Sequence, residues 1–295
     1  MLNIVLFEAT AQNRAERAFL REQALPGLGV DGDQVRLATG GYEPCDVAAI
    51  MWAPRLDGTD RTRAARAIRN LHGPNLLIFE NPLFRNLPEW WFYFRVGFDH
   101  VHRGGRFAQS DASADRSQLL GLPLSPWRQT AGPVVIAGQL PGDYSLDGWD
   151  SQEWVLNIIQ YLERTCERSL ILRPHPLDTR TDWRRLVGAL PIEVSYEALA
   201  TDLQRAGLWI SLTSGSAVDA VMAGVPNICL HHNSFAWDVS AHSLMDLERP
   251  WVGDRRPWLA QLANTQWSWA EIREGACWRA LSKRVDFANP ASASP

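Results

Sequence analysis

The 295 residues are 46% hydrophobic and 21% charged, which is typical of a globular chain long enough for two compact domains. The net charge of −4 at pH 7 argues against a strongly basic nucleic-acid-binding protein. The chain has no run of about 18 apolar residues, and its start, "MLNIVLFEA", lacks the basic stretch of a signal peptide. We therefore expect a soluble, cytoplasmic protein without a transmembrane segment.

The four cysteines also exclude some kinds of chemistry. They are scattered without C-x-x-C spacing, as Cys45, Cys166, Cys229 and Cys277. Such spacing predicts free thiols, most of them buried, rather than disulfides or a zinc knuckle.

The first 80 residues alternate between strand-like and helix-like patterns. Apolar runs predict the strands "LNIVLFEA", "QVRLAT", "DVAAIMWA" and "NLLIFE". Helical spacing predicts helices over "QNRAERAFLREQAL" and over "DRTRAARAIRNLHG", the second ending at Gly73. This alternation predicts a parallel sheet covered by helices on both faces.

The region from Pro82 to Pro133 is less regular, and "SPWRQTAGP" within it is the best linker candidate. Beyond the linker the alternation resumes, with strands at "PVVIAGQ", "SLILRPHP", "IEVSY", "LWISLT" and "PNICLHH". The intervening helices are "SQEWVLNIIQYLERTCE", "DWRRLVGAL", "EALATDLQRA" and "GSAVDAVMAG". The last forty residues have helical patterns before a frayed tail.

These patterns predict an α/β protein with two Rossmann-like domains that face each other across a cleft. We place the boundary near residue 130, which gives domains 1–130 and 131–295, with C-terminal helices that can pack back on the first. The chain also has 14 Trp residues, some of them clustered in "EWWFYF" and "QWSWAE", as is typical of a groove or a domain interface.

Polar residues follow several of the predicted strands. In an open parallel sheet, ligands bind outside the carboxyl ends of the strands, at helix N-termini. The residues in these positions are Glu80, Asp143, Arg173, His175 and Thr213 to Ser216.

The segment "LTSGSAVDAVMAG" is the strongest local signal. Thr213, Ser214, Gly215 and Ser216 join a strand directly to a helix, so that backbone N–H groups at the helix start can bind phosphate. Asp219, one turn later, can accept hydrogen bonds from a ribose. The alternative is ordinary N-capping by Ser214 or Ser216, with Asp219 at the positive end of the helix dipole.

In "RPHP", Arg173 and His175 alternate with two prolines. Proline fixes φ and removes an N–H donor, so the turn is stiff and both side chains are held in place. Such a turn suits the recognition of an anion. The alternative is a histidine with a structural role at the end of a strand.

Asp143 and Glu80 form a candidate pair of carboxylates. Transfer of a sugar with retention requires one carboxylate as nucleophile and a second carboxyl group as acid or base. The alternatives are a turn-forming residue for Asp143, in "PGDYS", and an ordinary strand-end residue for Glu80.

Several other motifs are set aside. "GLGVDG" matches G-x-G-x-x-G but follows a helix and precedes a strand, which is the reverse of the dinucleotide fingerprint. "DGD" at Asp31 to Asp33 lies in the same loop, and the pairs His100/His102 and His231/His232 lack further ligands with metal-site spacing. "TSGSA" is not a nucleophile elbow. We expect no metal and no cofactor beyond a co-substrate.

Taken together and in order, "GQLPGDYS", "RPHP" and "TSGSAVDAVMAGVP" resemble the motifs of the retaining β-Kdo transferases of bacterial capsule and O-antigen assembly. The resemblance covers roughly residues 75 to 240. It implies a GT-B-like architecture, a CMP-linked sugar donor and a transfer that needs no metal. "FENPLFRN" is a loose match to the acidic segment E-D-G-F-x-R-S of that family.

The resemblance also implies roles for individual residues. Asp143 would be the nucleophile that forms a glycosyl-enzyme intermediate, and Glu80 the acid/base for the acceptor hydroxyl. His175 and Arg173 would hold the phosphate or carboxylate of the donor. The remaining implied donor-binding residues are Gln139, Thr213, Ser214, Gly215, Ser216 and Asp219. The first domain would then bind the acceptor, a glycan or another hydroxyl compound, and the second the nucleotide sugar.

Two alternatives stay open. One is a DNA-modifying glycosyltransferase of the phage type, acting on hydroxymethylated bases, because Arg-rich segments such as "FRVGFDHVHRGGRF" can follow phosphates. The other is a non-catalytic binder of nucleotide sugars, which would not depend on Asp143.

Overall fold

The chain forms two compact α/β units. The computed structural model describes residues 1–53, 60–109, 116–128 and 131–286. The first unit contains Met1–Gly121 and the chain from Leu259 onward, and the second contains Leu122–Trp258. The sequence predicts a domain boundary near residue 130. Residues 129–130 lie outside the described residues. The described parts of the linker candidate, Ser125 to Arg128 and Ala131 to Pro133, belong to the second unit.

The first unit is built on a six-stranded sheet with the order β11-β5-β4-β3-β1-β2. Its strands are β1 (Asn3–Phe7), β2 (Gln34–Ala38), β3 (Val47–Met51), β4 (Leu76–Glu80), β5 (Tyr93–Phe98) and β11 (Gln266–Ser268). Strands β1 to β4 are parallel, and β1, β3 and β4 are almost entirely buried. Burial on both faces explains their unbroken apolar sequences.

The four strands of the first 80 residues are parallel, as predicted, and two further strands extend this sheet in the antiparallel direction. Strand β5 pairs antiparallel with β4, and β11 pairs antiparallel with β5. The chain returns from β4 to β5 without a crossover helix, which only an antiparallel pair permits. The expectation of helices in the last forty residues is wrong only at Gln266–Ser268, which is a strand.

The helices of the first unit agree with the predicted helical segments, except α4, which lies in the irregular region between Pro82 and Pro133. They are α1 (Arg14–Phe19), a π-helical turn (Leu20–Ala24), α2 (Leu25–Leu28), α3 (Asp60–His72), α4 (Arg116–Leu119), α10 (Trp269–Arg273) and α11 (Ala276–Leu281). Helix α3 ends at Gly73, whose φ of 77° is left-handed. Trp278 and Leu281 of α11 share one core with Ile4 and Phe79, so the C-terminal helices complete the first unit.

The second unit has a five-stranded parallel sheet with the order β10-β9-β6-β7-β8. Its strands are β6 (Val134–Ala137), β7 (Leu170–Arg173), β8 (Ile192–Val194), β9 (Leu208–Ser211) and β10 (Asn227–Cys229). Its helices are α5 (Ser151–Thr165), α6 (Trp183–Val187), α7 (Leu199–Arg205) and α8 (Ser216–Met222), and the chain passes back to the first unit within α9 (Arg256–Ala263). The prediction of two Rossmann-like α/β units is confirmed.

None of the helices in the described ranges has the length and the apolar composition that crossing a bilayer requires.

Candidate functional site

The carboxyl edge of the second sheet contains most of the predicted site residues. From β6 the chain builds outward to β7 and β8 on one side, and then to β9 and β10 on the other. The strand order therefore reverses between β6 and β9. Ligands of doubly wound folds bind at such a switch point, outside the carboxyl ends of the two strands. The segments that follow β6 and β9 begin at Gly138 and Leu212.

Four polar side chains bridge this switch point. Gln139, after β6, donates from Nε2 to Ser145 Oγ (2.9 Å) and to Thr213 Oγ1, after β9. Gln139 Oε1 accepts from the backbone N–H of Thr213 (3.2 Å), and the hydroxyl oxygens of Ser145 and Thr213 lie 2.8 Å apart. The network is completed by Asp143. The structure thus brings Gln139, Asp143 and Thr213 together, as expected, and adds Ser145.

Asp143 holds its own turn with one carboxylate oxygen. Oδ1 accepts from the backbone N–H of Ser145 (2.9 Å) and from Ser145 Oγ (2.7 Å). Among the described residues, Oδ2 has no hydrogen-bond donor. Asp143 therefore has the turn-forming role, which uses one oxygen of its half-buried carboxylate. The other oxygen remains available to a ligand.

The end of β6 also touches the "RPHP" turn. The N–H of Gly138 donates to Arg173 O (2.8 Å), and a Cβ at Gly138 would lie 3.3 Å from both Arg173 O and Pro174 Cα. Glycine therefore allows the two strand ends to meet closely. His175, in this turn, is half-buried, and its Nδ1 accepts from the N–H of Leu177 (3.2 Å). In the neutral imidazole the proton then lies on Nε2.

Arg173 is engaged within the protein. Its Nη1 donates to Asp202 Oδ2 and to Glu197 O, both at 2.6 Å. Asp202 is fully buried and also accepts hydrogen bonds from Ser195 and Arg205. This buried ion pair joins the end of β7 to α7. A direct role of Arg173 on the donor stays a prediction.

The start of α8 differs from the expected capping by a serine, because Gly215 is the N-cap residue and no side chain makes a capping hydrogen bond there. Ser214 Oγ accepts from the N–H of Ser216 (3.3 Å) and lies 2.8 Å from Ser216 Oγ. Gly215 is exposed and Asp219 is half-buried in the first turn. Ser214 therefore bonds the first N–H of the helix from the position before the N-cap, and the binding of phosphate by this segment stays a prediction.

Glu80 ends β4 in the first unit and is almost completely buried. Its Oε2 accepts from the N–H of Ala53 (2.9 Å), and its Oε1 accepts from the backbone N–H (2.9 Å) and the side-chain Nδ2 (3.0 Å) of Asn81. Trp52, before Ala53, has a φ of 66°, which is rare for an aromatic residue and typical of strained functional sites. Glu80 is therefore held in one orientation beside a strained segment.

Comparisons with known proteins agree with this architecture. The structure is similar to two structures of Thermosulfurimonas dismutans KpsC, a β-Kdo 2,7 transferase (TM-score 0.54, 12% identity, 94% of this chain and 99% of that one) and a β-Kdo 2,4 transferase (TM-score 0.50, 15% identity, 89% of each chain). The fold is similar to that of β-Kdo transferases. The resemblance seen in the motifs is thereby confirmed at the level of the fold.

A UDP-GlcNAc 2-epimerase from Methanocaldococcus jannaschii, solved with UDP-GlcNAc and UDP, is more distant, with a TM-score of 0.34 and 11% identity over 87% of this chain and 96% of that one. No protein-family model and no curated protein sequence matches the chain.

Sequence reasoning missed one aromatic group in the second unit. This group lies at the carboxyl edge of the sheet. Trp149 contacts His231, which follows β10, with ring centroids 5.7 Å apart and planes at 87°. His231 also stacks on His232, at 4.6 Å and 20°. The sequence predicts structural or polar roles for the adjacent histidines. The available signal in the sequence was the turn pair Asp147-Gly148 just before Trp149, whose residues adopt left-handed φ values of 50° and 86°.

The surroundings of His231 favour its uncharged form. Burial lowers the pKa of His231 below its ordinary value, and the neighbouring His232 lowers it further, whereas Asp147 acts in the opposite direction. Its Nδ1 accepts from the N–H of Asn233 (3.2 Å), so the single proton of the neutral ring lies on Nε2.

The two tryptophan clusters of the sequence meet on the first unit. Phe92 contacts Trp269 at 5.2 Å, edge to face, and Trp269 stacks on Phe94 at 6.1 Å. Trp91 and Phe92 are exposed. Because β5 runs antiparallel to β4, this aromatic segment lies beyond the same strand end as Glu80.

The remaining motifs have structural roles. Asp33 accepts hydrogen bonds from the N–H of Leu2 (2.7 Å) and from Trp278 Nε1 (3.0 Å). The rings of His100 and His102 lie 4.6 Å apart. All four cysteines are free thiols, as predicted. Within the described residues, no three His, Cys, Asp or Glu side chains are grouped as metal ligands.

Proposed function

We propose that this protein is a retaining glycosyltransferase. It transfers a sugar from a nucleotide-sugar donor, a CMP-linked one in the leading hypothesis, to a hydroxyl acceptor through a covalent intermediate on Asp143. The carrying observation is the Gln139–Ser145–Thr213–Asp143 network at the switch point of the second sheet. A carboxylate with one anchored and one available oxygen is what a nucleophile requires.

The reaction consists of two displacements. In the first, Asp143 Oδ2 forms a bond to the anomeric carbon of the donor while the bond from that carbon to the phosphate oxygen breaks, and the nucleotide leaves with the electron pair. In the second, the acceptor hydroxyl oxygen attacks the same carbon and its proton passes to Glu80 as the carboxylate of Asp143 leaves. Two inversions give net retention.

The hydrogen bonds around Asp143 support this role by fixing its orientation. Ser145 holds Oδ1 through both its backbone N–H and its hydroxyl group, and Gln139 in turn donates to Ser145. A reacting group held in one geometry gains rate because less freedom is lost on reaching the transition state.

The leaving phosphate also requires stabilisation. We assign this to His175 and to the segment Ser214, Gly215 and Ser216, whose N–H groups lie at the start of α8. Charge that develops on the leaving oxygen is stabilised by donors that are already in position. In this proposal Asp219 binds the ribose and Arg173 holds the His175 turn from behind. The transfer requires no metal.

The test is a comparison of Asp143→Ala and Asp143→Asn with the wild type, measuring the release of nucleotide from a panel of nucleotide sugars in the presence of glycan acceptors. We expect turnover to fall by about a thousandfold or more, because a covalent nucleophile has no substitute in the site. Nucleotide binding should be retained. Asp147→Asn is the matched control, since Asp147 is exposed in the same loop and Asn tolerates its left-handed backbone.

Unchanged turnover in Asp143→Ala would contradict the mechanism. If the wild type binds nucleotide sugars and turns none of them over, the protein is instead a non-catalytic binder. No observation within the described residues favours DNA as the acceptor, so that alternative is not pursued.

A further inference from the structure

The loop that follows β6 reaches across the end of β9 to the segment after β10. At its near end, Gln139 and Ser145 bond to Thr213. At its far end, Trp149 contacts His231. The two ends of this loop therefore border the same stretch of the carboxyl edge, and the aromatic group lies on the β10 side of the polar network.

Trp149 and His231 differ sharply in exposure. The side chain of Trp149 is 52% exposed, whereas His231 is 6% exposed. An exposed tryptophan is unremarkable alone, but this one rests edge to face on a buried ring, which restricts its orientation. A ligand can therefore use the open surface of Trp149 without first ordering the side chain.

His231 adds a polar group to this surface. Its Nδ1 is occupied by the N–H of Asn233, and among the described residues Nε2 has no hydrogen-bond partner. Nε2 is not one of the buried atoms that lack a partner in the described part of the chain, so it reaches solvent. The donor can therefore bond to water in the free protein and to an acceptor atom of a ligand in a complex.

We propose that Trp149 and His231 form a subsite for a nucleobase, in which the base stacks on the indole of Trp149 and a ring nitrogen or carbonyl oxygen accepts from His231 Nε2–H. A flat ring with acceptor atoms on its rim matches both features. This inference rests on the proposed function, because it assigns the base of the donor nucleotide to a place beside the reacting carboxylate.

The test compares ligands with and without a base. The affinities of CMP, UMP, AMP, GMP and ribose 5-phosphate are measured by calorimetry for the wild type, Trp149→Ala and Trp149→Phe. Stacking of one base on an aromatic side chain is lost in Trp149→Ala, so the Kd of the preferred nucleotide should rise about tenfold. Trp149→Phe should lose less, and ribose 5-phosphate should bind all three proteins equally.

Two further variants complete the design. His231→Asn keeps an acceptor for the N–H of Asn233 and removes the Nε2 donor, so it should weaken nucleotide binding and leave ribose 5-phosphate unaffected. Tyr161→Ala removes a partly exposed aromatic ring from α5 in the same unit and should change neither ligand. Thermal unfolding checks that each variant is folded.

Equal weakening of ribose 5-phosphate in Trp149→Ala would show that Trp149 binds the sugar or phosphate instead, and would overturn the base assignment. An unchanged Kd for every nucleotide, or no nucleotide binding by the wild type, would also overturn it. The outcome is separable from that of the proposed function, since binding is measured without turnover. A protein that binds bases through Trp149 but transfers no sugar refutes the transferase alone.

Discussion

The carboxyl edges of the two sheets have the same βα plan and different chemistry. In the second unit, the edge is a connected set of small hydroxyl, amide and carboxylate groups that centres on Ser145 and Thr213. In the first unit, the buried carboxylate of Glu80 is held by N–H groups, and exposed aromatic rings lie beyond it. Similar folds thus carry a polar edge in the second unit, to which we assign the nucleotide, and an aromatic edge in the first.

The largest expected effect concerns the carboxylate of the first edge. Glu80→Gln keeps the size of the side chain, but the amide cannot take the proton from the hydroxyl group of the acceptor substrate. Loss of a general base costs about 10² to 10⁴ in rate, so we expect transfer to the acceptor to fall by about that factor. Nucleotide binding by the second unit should not change. Steady-state transfer kinetics and calorimetry measure the two quantities.

The matched control for Glu80 is Glu89→Gln, which alters an exposed acid in the same unit. If Glu80→Gln weakens nucleotide binding and leaves transfer intact, the division of roles between the two edges is wrong.

The second effect concerns the buried ion pair behind the polar edge. Asp202→Ala leaves the guanidinium of Arg173 without its buried partner, and breaking such a pair costs about 3 to 5 kcal/mol in the free energy of unfolding. Urea unfolding measures this loss. The control is Glu193→Ala, which removes an exposed partner of Arg205 and should cost under about 1 kcal/mol. Equal losses in the two variants would contradict a structural role for Asp202.

A threonine at each edge allows a direct comparison of the two units. Thr10 donates to Phe7 O and accepts from the N–H of Met51 in the first unit, whereas Thr213 belongs to the polar network of the second. Replacement of either threonine by valine leaves the buried partners of its hydroxyl group without a hydrogen bond. This should lower the free energy of unfolding by about 1 to 3 kcal/mol.

We expect Thr213→Val to reduce turnover as well, because the network orients Asp143, and Thr10→Val to reduce stability alone. Thr213→Ser, which keeps the hydroxyl group, should restore turnover. Equal turnover in the two valine variants would contradict the functional difference between the edges.

The smallest effect is on the pH dependence of stability. Burial lowers the pKa of His72 in the first unit and of His231 in the second. The unfolded chain then binds more protons than the folded one between the lowered pKa and about 6.5. The contribution of these two histidines to the free energy of unfolding is therefore fully present above about pH 6.5, and it is lost as the pH decreases through that window.

His72 Nε2 accepts from the N–H of Ala48 (3.2 Å), so protonation also breaks a hydrogen bond to β3. We expect His72→Gln and His231→Asn each to flatten the decline of the unfolding free energy between pH 7 and pH 5. A steeper decline in either variant would contradict the lowered pKa values.

Much of the fold follows from local patterns in the sequence. The apolar runs of β1, β3, β4 and β6 predict buried parallel strands because each run is apolar on both faces. Strand β11 could not be predicted in this way. "QWS" is three residues long and lies between helical patterns, and it becomes a strand only through pairing with β5, far away in the sequence.

The site divides in a similar way. The strand-end rule places Gln139, Asp143 and Thr213 at one edge, and the structure brings them together. It could not show that Arg173 is bound to Asp202, which depends on how α7 packs against β7. Nor could it reveal the contact between Trp149 and His231, since loop conformation decides it.

The most direct test of the central claim is the intact mass of the protein after incubation with nucleotide sugars in the absence of an acceptor. A covalent intermediate on Asp143 predicts that the wild type gains the mass of one sugar residue, and that peptide mapping places it on Asp143. Addition of the acceptor should remove it, and Asp143→Ala should gain nothing. An adduct that still forms in Asp143→Ala would contradict the proposed mechanism. A wild type that transfers sugar to the acceptor but gains no adduct on Asp143 in the absence of acceptor would contradict it as well.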